Sequence, residues 1–351
     1  MKKILILIST HFLFAIDFDA LREMYLKDSI YWEKPLIDER VEYEEINALP
    51  STPPYPAYNP YSQSKVELGK KLFNEPKLSS SNQIACATCH DREFGFGDGR
   101  KLSYGHDRAI GRRNAQSVAM SAFGVEKFWD GRAKNLEEQA LMPIEDKKEM
   151  AFDADSAAKK LNGILEYKIL FKKAFGTENI TKELIGQAIA TYERSLMPKN
   201  TKFDRFMRGD SKAMNDKEIW GLHIFRTKAR CMNCHHGVAF SDQKYHNLGL
   251  TYYGRKFEDL GRYLVTKNID DVGAFKTPSL RLISQTKPYM HNGLFPSLKG
   301  VLNAYNAGMF HPKPNDNQKN DILFPKTSPL LHKLNLTTEE LDALEAFLNT
   351  L

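Results

Sequence analysis

All four cysteines of the chain occur in two copies of one short pattern. The copies are Cys86-Ala87-Thr88-Cys89-His90 and Cys231-Met232-Asn233-Cys234-His235. In a C-x-x-C-H pattern the two thiols can form thioether bonds to the vinyl groups of haem, and the histidine can bind the haem iron. Each copy therefore predicts one covalently attached haem c. The attachment residues would be Cys86, Cys89, Cys231 and Cys234, and the iron ligands would be His90 and His235.

Two other uses of cysteine compete with this interpretation. A shared zinc site would need both cysteine pairs close together, but Cys86 and Cys231 lie in different halves of the sequence. A disulfide or a thioredoxin-like pair would explain each C-x-x-C but not the histidine that follows both. The pattern favours two haems, and the zinc alternative stays open if folding brings the pairs together.

The sequence around the two patterns also repeats. Upstream, Gly69 and Gly221 each begin a Gly-x-x-x-Phe segment in a predicted helix. Downstream, residues 117–131 align without a gap with residues 279–293, and a leucine follows each segment at the same distance, Leu136 and Leu298. This order and spacing favour an internal duplication, in which two haem domains face one another. Chance similarity of short segments is the alternative.

Helical spacing dominates the segments that must position these motifs. Apolar residues recur at helical intervals in residues 161–175 and 181–196, and the chain ends on a segment with capping-box spacing at Thr337 to Glu340. Strand alternation is nearly absent. The sequence therefore predicts a mainly α fold with long loops and two cytochrome c-like haem domains, residues 61–209 and 210–351. Residues 16–60, rich in Pro, Tyr and acidic residues, are predicted to form an extended arm without a core of its own.

Composition and the first residues limit the class of protein. The chain has 351 residues, of which 42% are hydrophobic and 27% charged, and a net charge of +6 without a basic run, so we discount a nucleic-acid partner. Residues 1–15 have the charged start and apolar stretch of a signal peptide, which predicts cleavage near Ala15 and a periplasmic protein. A buried N-terminal strand is the alternative. No transmembrane segment is predicted after cleavage.

Taken together, the motifs resemble those of the bacterial dihaem cytochrome c peroxidase family, which includes the MauG-type enzymes. The resemblance covers about residues 61–351 and rests on both haem motifs and on further segments in the family's order. These segments are Gly111-Arg112-Arg113-Asn114, Phe128-Trp129-Asp130-Gly131-Arg132-Ala133, Leu136-Glu137-Glu138-Gln139-Ala140, Pro143, Glu149-Met150, Phe203-Asp204-Arg205-Phe206 and Pro288-Tyr289-Met290-His291-Asn292-Gly293. By resemblance, peroxide reacts at the N-terminal haem on His90, and the C-terminal haem on His235 exchanges electrons.

The resemblance also implies catalytic residues. Glu149 would move a proton between the two peroxide oxygens, Gln139 would orient the peroxide, and Pro143 would shape the loop between them. Without the family, Glu149 reads as a solvated member of the charged run from Glu145 to Glu149. Trp129 would relay electrons between the haems, and the alternative is a plain core aromatic.

Two further features are implied by the same resemblance. His106, in the loop from Gly105 to Gly111, matches a histidine that caps the N-terminal iron in the resting state of many such peroxidases, and an exposed loop histidine is the alternative. Asn114 and the backbone carbonyls of Thr286 and Pro288 resemble an interdomain calcium site, because calcium prefers oxygen ligands. A polar contact without an ion is the alternative.

One position departs from the peroxidases. Where their electron-transfer haem has a distal methionine, this chain has Tyr305, which resembles the MauG-type enzymes. A thioether ligand favours Fe(II), whereas an anionic phenolate favours Fe(III) and higher states. Tyr305 would therefore make reductive priming harder. The alternative is a packed tyrosine beside another ligand.

Three functions follow from these expectations. The favoured one is a periplasmic peroxidase that reduces hydrogen peroxide to water with electrons from a small monohaem cytochrome c or another periplasmic donor. The second is a MauG-like enzyme that uses peroxide to oxidise aromatic residues of a partner protein. The third is an electron-transfer cytochrome without catalysis. The resemblance also allows a homodimer, and the sequence leaves open whether residues 16–60 contribute to it.

Overall fold

The computed structural model describes residues 16–351, so the predicted signal peptide lies outside the described residues. The helices in this range are α1 Phe18–Leu26, α2 Gln63–Phe73, α3 Leu136–Glu145, α4 Ala154–Asn162, α5 Leu165–Phe175, α6 Lys182–Arg194, α7 Lys202–Met207, α8 Asp216–Arg226, α9 Tyr263–Thr266, α10 Leu298–Asn306 and α11 Thr338–Leu348. Two short strands, β1 Tyr245–His246 and β2 Phe275–Lys276, pair in antiparallel fashion. The predicted mainly α fold with long loops is confirmed. Among these helices none has the length and apolar character needed to cross a membrane.

The buried apolar side chains form two large clusters that separate along the sequence. One lies among α2, α4, α5 and α6 and includes Leu72 and Phe171. The other lies among α7, α8, α10 and α11 and includes Phe240 and Phe347. Each cluster packs against one of the Cys-x-x-Cys-His motifs, since Cys86 contacts the first cluster and Cys231 the second.

Residues 16–60 have no core of their own, yet they are not extended throughout. The segment begins with α1, where the side chain of Asp17 accepts a hydrogen bond from the backbone N–H of Ala20. Tyr25, Trp32 and Ile46 are buried in the second cluster. Five of the six prolines in this segment follow residue 49, so the proline content that suggested an extended arm does not describe the region of α1.

Two glycines fix equivalent helix pairs in the two halves. A Cβ atom on Gly69 in α2 would lie 2.0 Å from the carbonyl oxygen of Ala188 in α6, and one on Gly221 in α8 would lie 1.9 Å from that of Ala343 in α11. Only a residue without a side chain permits these backbones to approach so closely. The repeated Gly-x-x-x-Phe segments therefore mark the same packing contact twice.

The downstream repeat adopts one conformation in both halves. An antiparallel bridge joins Lys127 to Ala133, and the equivalent bridge joins Tyr289 to Phe295. Phe128, with φ of 67°, and Met290, with φ of 74°, both have the left-handed backbone that side chains seldom adopt. Such matching detail, including strained residues at aligned positions, confirms the predicted internal duplication.

The helices that follow the repeats begin in the same way. The side chain of Asn135 caps α3 by accepting the N–H of Glu138, and the side chain of Ser297 caps α10 by accepting the N–H of Gly300. Both caps satisfy backbone donors that a helix leaves free in its first turn. As a result α3 and α10 start at aligned positions, Leu136 and Leu298.

The predicted helices agree with the structure except in one segment. Helices α6 and α11 are present, and Thr337 and Glu340 form the predicted capping box. The predicted helix over 161–175 is instead two helices, because α4 ends at Asn162 and α5 begins at Leu165. Leu165 and Ile169 are exposed, and α5 buries Tyr167 and Phe171 instead. The apolar spacing predicted the wrong buried face for α5, because it was counted from Leu161, which belongs to α4.

Gly221→Ala should destabilise the protein although alanine is normally the better helix former. The added methyl group would overlap the Ala343 carbonyl, and overpacking of this kind costs about 1–3 kcal/mol. Urea unfolding of the haem-loaded protein measures the loss. Gly111→Ala is the control, because its Cβ would lie 3.6 Å from the nearest heavy atom, which is an ordinary van der Waals contact. Equal stability of Gly221→Ala and the parent would contradict the tight contact.

Candidate haem and active site

The first Cys-x-x-Cys-His motif forms a tight turn that presents its histidine. A 3₁₀ turn spans Cys86–Thr88, and the N–H of His90 donates to the carbonyl oxygen of Cys86 at 3.0 Å. The Nδ1 atom of His90 donates to the carbonyl oxygen of Phe96 at 3.0 Å. This hydrogen bond fixes the ring and leaves Nε2 free, as a metal-binding histidine requires. Burial lowers the pKa of His90, which favours the neutral ligand form.

The second motif repeats this geometry. A 3₁₀ turn spans Cys231–Asn233, and the N–H of His235 donates to the carbonyl oxygen of Cys231 at 2.8 Å. Its Nδ1 atom donates to the carbonyl oxygen of Phe240 at 2.9 Å, so Nε2 is again free. In both halves the histidine ring is therefore oriented by the same hydrogen bond from Nδ1 to a backbone carbonyl oxygen.

The four cysteines, all within the described residues, fit haem attachment better than the alternatives. None forms a disulfide, although each pair is closely spaced. They also do not gather into a four-cysteine zinc site. In residues 16–351 the one group of three potential ligand atoms within 4.8 Å of one another joins Cys234 with Asp242 and His246. Free thiols beside an oriented histidine match the requirements of a covalent haem.

A cavity of about 310 Å³ adjoins the second motif. Its lining includes Cys231, Cys234 and His235 together with Trp129 and Tyr305. Most of the exposed lining is apolar, as expected for the pocket of a large planar cofactor. The residues present therefore fit a haem at this position.

The resemblance assigns Tyr305 as a second axial ligand, and this assignment stays a prediction. Tyr305 is on α10 and lines the cavity that also contains His235. Burial, followed by the neighbouring Cys234 and Cys231, raises the pKa of Tyr305. An iron ion would be needed to favour the phenolate there, because the protein alone favours the neutral phenol.

Glu149 is half-buried, in contrast to the exposed Lys147 and Lys148 beside it. Its backbone N–H donates to Asp146 at 3.0 Å, and its carbonyl oxygen accepts the N–H of His106 at 2.8 Å. Burial, then the charge of Asp146, raises the pKa of Glu149, and Arg132 opposes this rise. The structure therefore separates this carboxyl group from the solvated charged run.

Glu149 also acts electrostatically on the first haem motif. Burial is the main reason that the pKa values of Cys86 and Cys89 are raised, and the charge of Glu149 contributes to both shifts. The carboxyl group thus lies within electrostatic range of the attachment cysteines. A proton-transfer group is expected in that neighbourhood.

Gln139 and Pro143 are on α3, next to the turn that contains Glu149. The Oε1 atom of Gln139 is buried and has no hydrogen-bond partner in the described protein. Because a buried acceptor without a partner costs free energy, this atom is available for a bound molecule. The carbonyl oxygen of Pro143 accepts the N–H of Met150 at 3.1 Å, which ties α3 to the Glu149 turn.

His106 lies beside Glu149 but has local partners. Its Nδ1 atom is 3.3 Å from the hydroxyl of Ser80, and its Nε2 atom is 3.4 Å from a carboxylate oxygen of Asp107. Gly105 permits the loop to contact the Glu149 turn, because a Cβ there would lie 2.1 Å from the carbonyl oxygen of Lys148. The role of His106 as an iron ligand stays a prediction.

Trp129 packs at the contact between the halves. Its Nε1 atom donates to the carbonyl oxygen of Asn114 at 2.9 Å, and its ring centroid is 6.4 Å from that of His291. His291 in turn stacks on Phe275 at 3.6 Å. Trp129 and His291 occupy aligned positions of the two repeats, so the duplicated segments meet through equivalent residues.

The three predicted calcium ligands lie near this contact without an assigned ion. The Nδ2 atom of Asn114 donates to the carbonyl oxygen of Arg100 at 2.8 Å, which leaves the amide oxygen as the potential ligand. Asn114 and Thr286 both line the cavity, and Pro288 follows a cis peptide bond with Lys287. Calcium binding at these residues stays a prediction.

Some residues of the site had no assigned role in the sequence. Arg113 forms buried ion pairs with Asp259 at 2.7 Å and with Asp130 at 2.6 Å, linking the two halves. Glu193, whose charge contributes to the raised pKa of Cys86, is 3% exposed. The sequence offered a signal for three of these residues, because Arg113, Asp130 and His291 belong to the family motifs. No local pattern distinguished Asp259 or Glu193.

Comparisons with known proteins agree with this geometry. Residues 63–212 match the family model for di-haem cytochrome c peroxidase. Similar proteins include the cytochrome c551 peroxidase of Nitrosomonas europaea, 39% identical over 241 residues, which is 68% of this chain and 72% of that protein. MauG of Methylophilus methylotrophus is 38% identical over 262 residues, 74% of this chain and 77% of that protein. The crystal structure of a MauG-like protein associated with microbial copper homeostasis superposes with a TM-score of 0.76 and 30% identity, covering 86% of this chain and 94% of that one.

Asp259→Asn should destabilise the contact between the halves by about 3–5 kcal/mol, because it leaves the buried Arg113 partly uncompensated. Burial alone would raise the pKa of Asp259, but the hydrogen bonds and charge of Arg113 lower it. The stabilisation is therefore present above the ordinary aspartate pKa and is lost as the pH falls through the lower folded value. Urea unfolding at neutral and acid pH measures both effects.

Asp155→Asn is the control for this prediction. Asp155 pairs with Lys182 at the surface, where such pairs contribute about 0–1 kcal/mol. If Asp259→Asn cost no more than Asp155→Asn at neutral pH, the buried ion pairs would not stabilise the contact.

Proposed function

The chain belongs to the dihaem cytochrome c peroxidase family, as its resemblance predicted, and from this premise we propose that it reduces hydrogen peroxide to water. It is an oxidoreductase with peroxide as the electron acceptor. Each turnover joins one peroxide, two protons and two electrons to give two water molecules. Electrons would enter through the C-terminal half and peroxide would react in the N-terminal half.

The half-buried Glu149 beside the first haem motif carries this proposal. Haem c at Cys86, Cys89 and His90 would supply the iron that exchanges electrons with peroxide. Glu149 would take the proton from one peroxide oxygen and return it to the other. A raised pKa suits this exchange, because a proton-transfer group works best when its pKa approaches the working pH.

Gln139 would orient the peroxide for this transfer. Its unpartnered buried Oε1 atom can accept a hydrogen bond from a peroxide O–H. The link from Pro143 to Met150 holds the Gln139 helix and the Glu149 turn at a constant distance. A fixed arrangement of this kind lowers the entropic cost of proton transfer.

Trp129 would relay electrons between the halves. It is 9% exposed and lines the cavity of the second motif, and Asn114 holds its indole by a hydrogen bond. A buried indole at the contact between the halves fits the path from the C-terminal to the N-terminal site. The donor would be a small periplasmic cytochrome c or another periplasmic protein.

A second candidate function rests on Tyr305. In a MauG-like reaction the fully oxidised protein would react with peroxide directly and oxidise an aromatic residue of a partner protein. The position of Tyr305 at the His235 cavity favours this candidate, because a phenolate ligand stabilises oxidised iron. Mixing the fully ferric protein and its one-electron-reduced form with stoichiometric peroxide separates the two functions by haem absorbance. Reaction only after reduction favours the peroxidase cycle, and direct reaction of the ferric form favours the MauG-like cycle.

The remaining parts of the proposal concern cofactors and location. The protein would contain two haem c groups and a calcium ion held by Asn114 and the carbonyls of Thr286 and Pro288. Oxygen ligands alone suit calcium, and water molecules would complete its shell. The protein would act in the periplasm, and a homodimer stays a prediction.

Glu149→Gln should lower the turnover of peroxide by about 10²–10⁴-fold, because glutamine cannot accept and return the proton. The measurement is oxidation of a reduced cytochrome donor at saturating peroxide, with equal haem content confirmed by absorbance. Glu145→Gln is the control, since Glu145 is exposed and belongs to the same charged run. Unchanged turnover would exclude Glu149 as the proton-transfer group. No peroxide consumption by the parent would instead favour an electron-transfer cytochrome.

Tyr305→Met should raise the reduction potential of the C-terminal haem, because a thioether favours Fe(II) more than a phenolate does. Potentiometric titration followed by absorbance measures the change. Tyr305→Phe, which removes the hydroxyl without supplying a thioether, is the control for altered packing. The same potential in all three proteins would mean that Tyr305 is a packed residue beside a different ligand.

A further inference from the structure

Two lysine side chains are buried side by side between the halves. Lys127 precedes the Phe128-Trp129 segment, Lys276 ends β2, and each is only 8% exposed. A Cβ atom on Gly124 would lie 2.7 Å from the neutral amide oxygen of Gln243, 3.0 Å from Lys276 Nζ and 3.3 Å from Lys127 Nζ. The two ammonium groups therefore flank one point in the interior of the protein.

These ammonium groups have no adequate counter-charge within the described chain. Lys127 donates to the carbonyl oxygens of Ser121, at 2.5 Å, and of Gly124, and Lys276 donates to that of Glu126. Neutral carbonyl groups do not balance two buried positive charges. Burial is the main reason that the pKa falls to about 7 for Lys127 and to about 8 for Lys276. These lowered pKa values are those expected of buried ammonium groups without a neighbouring anion.

Four acidic side chains act on the lysines, and none supplies that anion. Glu137 pairs with Arg194 at 2.6 Å, and Asp242 pairs with His246 at 2.7 Å. The carboxylate of Glu126 is engaged by the hydroxyl of Tyr245 at 2.7 Å and by Arg262 at 3.0 Å. Glu193 is buried, but its Oε2 atom has no hydrogen-bond partner, and burial raises its pKa to about 8. A carboxylate from outside the polypeptide would therefore balance the charge of the two lysines.

The lysines open on the cavity of the second haem motif. Lys127 and Lys276 line it together with Cys231, Cys234 and His235. A haem attached through its vinyl groups still has two propionate carboxylates, and these are the anions that such a cavity would receive. We propose that Lys127 and Lys276 bind the propionate carboxylates of the haem attached at Cys231 and Cys234.

The internal duplication gives Lys276 a counterpart. Extending the gap-free alignment of residues 117–131 with 279–293 toward the N-terminus pairs Asn114 with Lys276. Asn114 is the side-chain ligand of the proposed calcium ion in the first half. Lys276 would thus place an ammonium group where the first half uses a metal ion, so each half would supply a positive charge at the equivalent position.

This assignment predicts a tuned reduction potential. Reducing a haem iron adds an electron, and a nearby positive charge favours the reduced state. Lys276→Met and Lys127→Met should therefore each lower the potential of the C-terminal haem, and the double variant should lower it further. Lys276→Arg, which retains the charge, should keep the potential close to that of the parent.

The experiment is a potentiometric titration of dihaem protein followed by absorbance, with haem content measured for each variant. Lys212→Met is the matched control, because Lys212 is exposed and should leave the potential unchanged. Unchanged potentials in both buried-lysine variants would overturn the proposal, as would a shift confined to the N-terminal haem.

A second measurement needs no substitution. Resonance Raman spectra of the parent report hydrogen bonding of haem propionates through their bending bands. Bands typical of free propionates on the C-terminal haem would overturn the proposal even if the methionine variants failed to accumulate as dihaem protein. The inference rests on the proposed function only through haem attachment. If the parent did not turn over peroxide but the lysine variants had lowered potentials, the proposed peroxidase function would be refuted. The assignment of the lysines to the propionates would still hold.

Discussion

The backbone of Asn114 holds together the contact on which the rest of the structure depends. Its N–H donates to the carbonyl oxygen of His291 at 2.7 Å, and its carbonyl oxygen accepts the indole N–H of Trp129 at 2.9 Å. The two rings come from aligned positions of the duplicated halves and pack edge to face. The neighbouring Arg113 adds ion pairs to both halves. Because the interface and the proposed electron path use the same residues, a change in the angle between the halves would also change the path.

The duplication explains why so much of this arrangement could be predicted from sequence. The haem motifs, the close-packing glycines Gly69 and Gly221, and the downstream repeat are local patterns, and their chemistry does not depend on distant partners. Helices α6 and α11 likewise contain their caps and buried faces within their own sequences. The failure at residues 161–175 has the opposite cause. Gly163 separates two helices there, and only packing determines that Tyr167 rather than Leu165 is buried.

The burial of Glu149 in the candidate active site is not evident from its neighbouring residues. Glu149 lies in a run of charged residues, and its neighbours Lys147 and Lys148 are indeed exposed. The His106 loop contacts the backbone of the Glu149 turn, and Gly105 permits this approach because it has no side chain. That contact joins residues more than forty positions apart. Only the family spacing from Trp129 to Gln139 to Glu149 pointed to it. Asp259 and Glu193 had no such pattern, because their partners are brought together by folding alone.

The two halves have the same backbone arrangement but different residues at one equivalent position near their haem motifs. Pro143 and Tyr305 are each the eighth residue of helices that begin at aligned positions, α3 and α10. Tyrosine at this position lines the second cavity and has an oxygen that can bind iron, whereas proline has no side-chain ligand atom. In the first half the carbonyl of Pro143 instead anchors the turn that contains Glu149. In the proposed function, this one difference between the repeats would give the second iron a tyrosine ligand and leave the first open to peroxide, with Glu149 as the proton-transfer group.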